Sequence, residues 1–261
     1  ILENLDSYPV LIPTDNNKPN FYKLIDRAVQ DKLTFIADSI LDPISYGFTK
    51  SIERYIHLRE KYPDIHIMIG IGNITELTHA DTSGINMIML GIVEELKLNH
   101  ILTTQVSRHC STVIRETDLA RRIIHAASEN NITPKHINNG LLINHGHKDY
   151  AYTSDELSDM KSNIKDKNYR IYVNDDGVHL FNKTIYKVFS DPYDFYEFLE
   201  VDEDSGHSFY LGVELARAQI AYQLRKEYSQ DEELDWGCLI DKKADNKLQS
   251  KELGPTFKKR K

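Results

Sequence analysis

The chain has 261 residues, 40% hydrophobic and 28% charged, with a formal net charge of −8 and a pI near 5.8, the composition of a globular protein with a real core. The acidic balance excludes nucleic acid and anionic membrane as natural partners. No apolar run reaches the roughly 20 residues that span a bilayer, and the N-terminus lacks the basic-then-apolar order of a signal peptide. The two cysteines, Cys110 and Cys238, lie far apart, with neither zinc-site nor redox spacing. A reducing, cytoplasmic setting is therefore expected, and no metal. Ile1 rather than Met opens the chain, which reads as part of a longer protein.

The first half repeats one pattern. The short apolar run "YPVLIPTD" precedes the helically spaced "KPNFYKLIDRAVQDK", and "LTFIADS" precedes "TKSIERYIHLREKY". Next come "IHIMIGIGN" and "TSGINMIMLGIVEELKL", then "HILTTQV" and "STVIRETDLARRIIHAASEN". Four strand–helix units in about 125 residues predict a parallel sheet with helices packed against it. The strands are near-continuous apolar runs, as in sheets buried on both faces.

From about residue 133 the texture changes. "NNGLLINHGHKDYAYT" is polar and looped, and "DELSDMKSNI" is a short helix. "YRIYVNDDGVHLFNKTIYKVF" alternates around Asp175–Asp176–Gly177, a strong hairpin signal. "DPYDFYEFLEV" reads as a helix capped by Asp191 with Pro192 at its first position, and "HSFYLGVELARAQIAYQLRKEY" as a longer one. Residues 133–240 thus form a small α+β lobe after a first domain over 1–132, and the basic 241–261 form a disordered tail.

Ligands of parallel β/α folds bind at the carboxyl ends of the strands. Here those ends carry Thr14–Asp15–Asn16–Asn17, then Asp38, Ser39 and Asp42, then Gly70, Gly72 and Asn73, then Thr103–Thr104–Gln105. They are rich in amides, hydroxyls and carboxylates and poor in Lys and Arg. Such a mouth suits a neutral heterocycle with many donors and acceptors better than a phosphate.

The stretch "ILDPISYGFTK" resembles the Asp-Pro-Gly-x-Gly-Phe-x-Lys segment of dihydropteroate synthases. Asp42, Pro43, Gly47, Phe48 and Lys50 match, and Ile44 replaces the first glycine. In that family the aspartate receives hydrogen bonds from the 2-amino and N3–H groups of a pterin, two parallel donors meeting one carboxylate. Gly72–Asn73–Ile74–Thr75 is similar to the Gly-x-Ser-Asn-Val-Ser segment of pterin-dependent corrinoid methyltransferases, whose asparagine contacts the pterin near N5. From about residue 9 to 237 the chain resembles the dihydropteroate synthase-related pterin-binding proteins of tetrahydromethanopterin-using, archaeal organisms.

The resemblance implies the C-terminal half of a TIM-type (β/α)8 barrel, its last four units, followed by the small lobe. It implies a pterin of the tetrahydromethanopterin or tetrahydrofolate type bound by Asp42 and Asn73, with Asp38 as a second carboxylate at the mouth and Lys50 as a single charge. It leaves the catalytic residues unassigned. The methyltransferase branch implies a corrinoid protein as partner, and the missing strands imply a homo-oligomer or an N-terminal half of the same chain. The synthases also place a lysine after strand 7 and an arginine and a histidine after strand 8. Here the corresponding "TTQVSRHCS" carries Arg108 and His109 beyond the strand end, so synthase chemistry, which expels diphosphate, lacks its concentrated positive charge. A non-catalytic pterin-binding or assembly subunit is the alternative. The pair His145 and His147 lacks a third ligand for a metal site, and Cys110 at a helix start reads as inert rather than nucleophilic.

Overall fold

The computed structural model describes residues 8–14, 18–201 and 204–241. Asp15, Asn16 and Asn17 of the first strand end, and the expected tail from residue 242 onward, lie outside the described residues. The chain divides into two compact units, Ile1–Leu141 and Leu142–Lys261.

The first unit is a four-stranded parallel sheet of β1 (Val10–Leu11), β2 (Ile36–Ala37), β3 (His66–Gly70) and β4 (His100–Leu102), in the order 1-2-3-4. Pro9 and Pro13 bracket β1 and can donate no ladder bonds, yet Ile36 N–H donates to Pro9 O at 3.0 Å and Asp38 N–H to Leu11 O at 2.9 Å. Helices α1 (Lys18–Gln30), α2 (Phe48–Lys61), α4 (Thr82–Glu95) and α5 (Val113–Glu129) follow the four strands in turn, with the one-turn α3 (Gly72–Thr75) between β3 and α4. Their buried residues recur at three and four, for example Phe21, Ile25 and Ala28 in α1 and Ser51, Tyr55 and Leu58 in α2.

The strand register separates two faces. Leu11, Ala37, Ile67 and Ile69 are buried and share one core with residues from the helices. The opposite face carries Val10, Ile36, His66, Met68, His100 and Leu102, none of them buried; Val10 and Leu102 are 41% and 52% exposed. The apolar runs predict burial of both faces, and among the described residues the buried strand residues lie on one of them. The sheet is open, with β1 and β4 as its edges.

One buried carboxylate ties α4 to α5. Glu116 is 1% exposed and accepts from Thr82 Oγ1 and Thr112 Oγ1 at 2.7 Å each and from Asn86 Nδ2 at 2.9 Å. It lies in the first turn of α5 and bonds the first residue of α4, where the helix dipoles favour an anion.

The second unit is an antiparallel sheet of β5 (Arg170–Asn174), β6 (Gly177–Phe181) and β7 (Tyr186–Phe189) with α6 (Ser154–Ser162) and α7 (Ser205–Leu224). The two-residue turn Asp175–Asp176 joins β5 to β6, and Gly177 has φ +145°, which a residue with a side chain rarely adopts. The expected helix from Asp191 is a 3-10 helix over Pro192–Phe198; the Asp191 side chain caps it by accepting from Tyr193 N–H. Its period of three puts Phe195 in the core and leaves Tyr193 and Tyr196 exposed. The carboxamide of Gln230 stands in for a peptide at the edge of β5: its Oε1 accepts from Ile171 N–H at 2.9 Å and its Nε2 donates to Tyr169 O at 3.3 Å.

The loop holding His145, Gly146 and His147 closes the C-terminal end of α7. Gly146 N–H donates to Leu224 O, and His145 Nδ1 lies 3.3 Å from the same oxygen. Lys226, 3% exposed, donates its Nζ to Ile143 O and Asp235 O and lies over the Trp236 ring. A Cβ on Gly146 would fall 2.0 Å from Arg225 O. Backbone cannot yield as a side-chain tip does, so Gly146→Ala should destabilise the second unit by about 2 kcal/mol or more. Urea unfolding followed by the fluorescence of Trp236, the chain's one tryptophan, measures this.

His179 is fully buried in this unit, its Nδ1 2.9 Å from Tyr186 Oη and its Nε2 2.7 Å from Asn174 Oδ1. Nε2–H therefore donates to the amide oxygen and Nδ1 accepts from the phenol. Burial lowers the imidazole pKa below its ordinary 6.5. The unfolded chain then binds the extra proton first, so stability is fully present above about pH 6.5 and is lost as pH falls toward the folded-state pKa. The Trp236 unfolding transition should weaken on acidification from about pH 7 to about pH 5.5, and His179→Gln should remove this component of the pH dependence.

Candidate functional site

Among the described residues, the loops after β2, β3 and β4 build the C-terminal rim of the parallel sheet. The first follows β2. Asp38 is 7% exposed; its Oδ1 accepts from Tyr55 Oη at 2.5 Å and from Ile40 N–H at 2.8 Å, which holds Ile40 at φ +62°. Burial raises its carboxyl pKa, and the bonds from Tyr55 and Ile40 oppose that rise. The structure thus places Asp38 inside the loop, as a support for its turn, rather than as a second carboxylate lining the mouth.

Asp42 stands at the end of this loop with its side chain 25% exposed. Its N–H donates to Ser51 Oγ at 3.1 Å, and its Oδ2 accepts from Arg54 Nη2 at 2.8 Å. Arg54 also donates Nε to Ser39 O at 3.2 Å and Nη2 to Ile40 O at 2.6 Å. One guanidinium from α2 thereby fixes the loop backbone and the carboxylate together. Gly47, at φ +118°, makes room for this: a Cβ there would stand 3.1 Å from Asp42 Oδ2. Among the described residues, no hydrogen bond falls on Asp42 Oδ1.

The second loop is α3 itself. Asn73 is exposed on that turn, and its Nδ2 donates to Leu41 O at 2.8 Å. The tether brings Asn73 beside the residue preceding Asp42, so the structure draws these two sequence candidates together. It does not add Lys50, whose side chain is 75% exposed on α2 and pairs with Glu53 at 3.1 Å.

The third loop follows β4, and Glu76 organises it. Its Oε1 accepts from Val106 N–H at 2.8 Å and Thr104 Oγ1 at 3.0 Å, and its Oε2 accepts from Ser107 N–H at 2.8 Å. These donors, the Val106 amide foremost, hold its carboxyl pKa down at about 2. Gly72 fits against the same loop, since a Cβ there would lie 3.0 Å from Thr104 Oγ1. His109 Nε2 lies 3.0 Å from Thr75 O, and Cys110 is fully buried with its Sγ 3.3 Å from that same oxygen. Burial pushes the Cys110 thiol up to about 11, so it is no nucleophile at neutral pH.

Two residues that shape the rim, Arg54 and Glu76, escape a reading of the sequence. Arg54 has a signal: it adjoins Tyr55 and lies three residues past Ser51 on a helix whose other inward residues are buried, so a charge there requires a nearby carboxylate. Glu76 has none, because its partners are backbone amides 30 and 31 residues away.

A cleft of about 240 Å³ lies in the second unit, walled by Tyr169, His207 and Tyr210 with Asp231 at its edge. It is smaller than the ~300 Å³ at which ligand pockets begin. Two of its polar groups already satisfy each other, with Tyr210 Oη donating to Asp231 and accepting from Gln230.

Among the described residues no helix is long and apolar enough to cross a membrane. Comparison with known proteins finds a relative in Methanocaldococcus jannaschii, the uncharacterized protein MJ0107, 30% identical over a stretch covering 82% of this chain and 45% of that protein. The chain spans about half the length of the curated relative it matches. No family model matches the chain, and no solved structure matches it.

Removing the Glu76 carboxylate should free the loop after β4. In Glu76→Ala the amide hydrogens of Val106 and Ser107 should exchange about tenfold faster or more, read by NMR, while those of β3 keep their protection.

Proposed function

We propose that the chain is the pterin-binding half of a protein of tetrahydromethanopterin or tetrahydrofolate one-carbon metabolism. The observation that carries the reading is the pairing of a fixed, part-exposed carboxylate with a tethered amide at the C-terminal rim of a parallel sheet: Asp42 held by Arg54, and Asn73 held on Leu41 O. Asp42 would take the edge of the ring that carries the 2-amino group and the neighbouring ring N–H. Asn73, with its carbonyl and its second amide hydrogen uncommitted among the described residues, would meet the pyrazine side.

The fold supports the same reading at a coarser level. Strand order 1-2-3-4 has no topological switch point, so the crevice of a doubly wound sheet is not available to it. The same order is that of consecutive units in a (β/α)8 barrel. The uncovered face with Val10, Met68 and Leu102 would then be barrel interior, closed by four further units in a longer chain or by a second copy. On this reading the rim becomes a concave pocket only when the barrel closes.

The rim favours binding, or transfer without phosphate, over synthase chemistry. The loop after β4 presents the carboxylate of Glu76, Lys50 is paired on the surface, and Arg54 is committed to the loop backbone and Asp42. Expulsion of diphosphate asks for concentrated positive charge at this point. A methyl transfer would take a tetrahydropterin as donor and a corrinoid protein as partner.

The test is fluorescence titration with tetrahydropterins of the protein with its barrel closed, by the longer chain or by a second copy. Asp42→Ala, with the fold intact by circular dichroism, should weaken binding about 10- to 100-fold, the loss of a charge-assisted pair. Equal affinity of the variant and the unaltered chain refutes the assignment.

A further inference from the structure

We infer that Arg54 is a positioning and specificity residue: by pairing with Asp42 it makes the carboxylate an electroneutral acceptor that selects the uncharged 2-amino-4-oxopyrimidine edge over a cationic one. The inference rests on the pterin-site reading and goes beyond it, because it says which chemical form of the ring edge is chosen and which group does the choosing.

The argument starts from what an unpaired carboxylate would do. Alone at a loop end, Asp42 would attract amines, amidinium groups and protonated rings more strongly than neutral donors, since charge decides before geometry. Arg54 removes that preference. Its guanidinium is 14% exposed and lies 2.8 Å from Asp42 Oδ2, and the two charges cancel locally. The other bonds of Arg54, to Ser39 O and Ile40 O, prevent it from swinging away when a ligand arrives. A planar fork bound at three acceptors is a fixed object, unlike a lysine in the same place. Ser51 Oγ receives the Asp42 N–H and donates to Phe48 O, so the backbone under the carboxylate is fixed as well.

What remains is Oδ1 and the outer lone pair of Oδ2. They suit two parallel N–H donors on one flat edge that brings no charge of its own. A second cation here would meet the guanidinium across the same carboxylate and lose most of the attraction that an unpaired carboxylate would offer it. An exocyclic amino group next to a ring N–H, itself next to a ring carbonyl, satisfies the requirement. A pterin presents this edge, and so does a guanine base, so the recognised chemistry is shared by two sources.

The experiment is isothermal titration of the protein with its barrel closed, by the longer chain or by a second copy, and of its Arg54→Gln and Arg54→Lys variants with three probes: pterin, 2,4-diaminopteridine and guanosine. Replacing the 4-oxo group by an amino group makes the ring basic, so it can take a proton from solvent and bind an unpaired carboxylate as a cation. The unaltered chain should prefer pterin to the diamino compound. Arg54→Gln should shift that preference toward the diamino compound by about tenfold or more, the scale of one charge-assisted interaction. Arg54→Lys should keep the preference for pterin while weakening both by about tenfold, because an ammonium cannot span the three acceptors.

An Arg54→Gln variant with the original ratio of affinities, or an Arg54→Lys variant with undiminished affinity, overturns the inference, and the Lys variant decides alone should the Gln variant not fold. Guanosine bound more tightly than pterin upholds the edge selection and overturns the pterin reading. Binding of none of the three by the unaltered chain overturns both.

Discussion

A single guanidinium decides where the loop after β2 stands at the C-terminal rim of the first unit. Arg54 reaches from α2 to Ser39 O, Ile40 O and Asp42 Oδ2, and so sets the path of the loop between β2 and α2 and the orientation of its one part-exposed carboxylate. Asn73 then bonds Leu41 O within that same loop, so the position of the second rim segment follows from the first. Buried ion pairs are weak as net stabilisers, because desolvation offsets much of the attraction. The backbone bonds matter more here: the arginine serves loop carbonyls that no ladder partner reaches. Further along α2, Arg59 does the same at the opposite end of the sheet, donating to Leu96 O, Pro63 O, Ile65 O and Lys97 O. The helix thus fastens both ends of the sheet it covers.

The helices were legible in the sequence because their signal is long. "TSGINMIMLGIVEELKL" and "STVIRETDLARRIIHAASEN" contain several turns of apolar period, and the structure has helices over Thr82–Glu95 and Val113–Glu129. Strand existence and parallel pairing were legible for the same kind of reason. Strand length was not: β1 and β2 regularise over two residues each, since the prolines beside β1 interrupt the pattern while loop bonds continue the pairing. The helix expected from Asp191 is a 3-10 helix: Phe195 and Phe198 recur at three, a spacing that both helix types accommodate over two turns, so the pattern did not separate them.

The candidate site was legible in its residue types and less so in their commitments. Asp42 and Asn73 could be named from short motifs, and the structure ties Asn73 to Leu41 O, one residue before Asp42. Asp38 and Lys50 belong to the same stretch of sequence, yet one turns into the loop against Tyr55 and the other lies on the outer surface beside Glu53. Nothing in the spacing separates an aspartate that faces out from a nearby one that faces in. That distinction comes from tertiary partners: a tyrosine 17 residues away for Asp38 and an arginine 12 residues away for Asp42. Glu116 escaped for a related reason, since an isolated glutamate in an amphipathic helix looks like surface until Thr82, Asn86 and Thr112 are seen around it.

The carboxamide of Gln230 has a consequence for the unit as a solute. A three-stranded sheet leaves two strand borders, and an unpaired border is a template on which another chain can grow. By answering Ile171 N–H and Tyr169 O with a side chain, the protein occupies the first rung of the β5 border with a group that cannot be extended. The amide ends the ladder where a backbone would continue it, beside the charged Arg170 on the same border, and so guards one flank of the sheet against fibrous self-assembly.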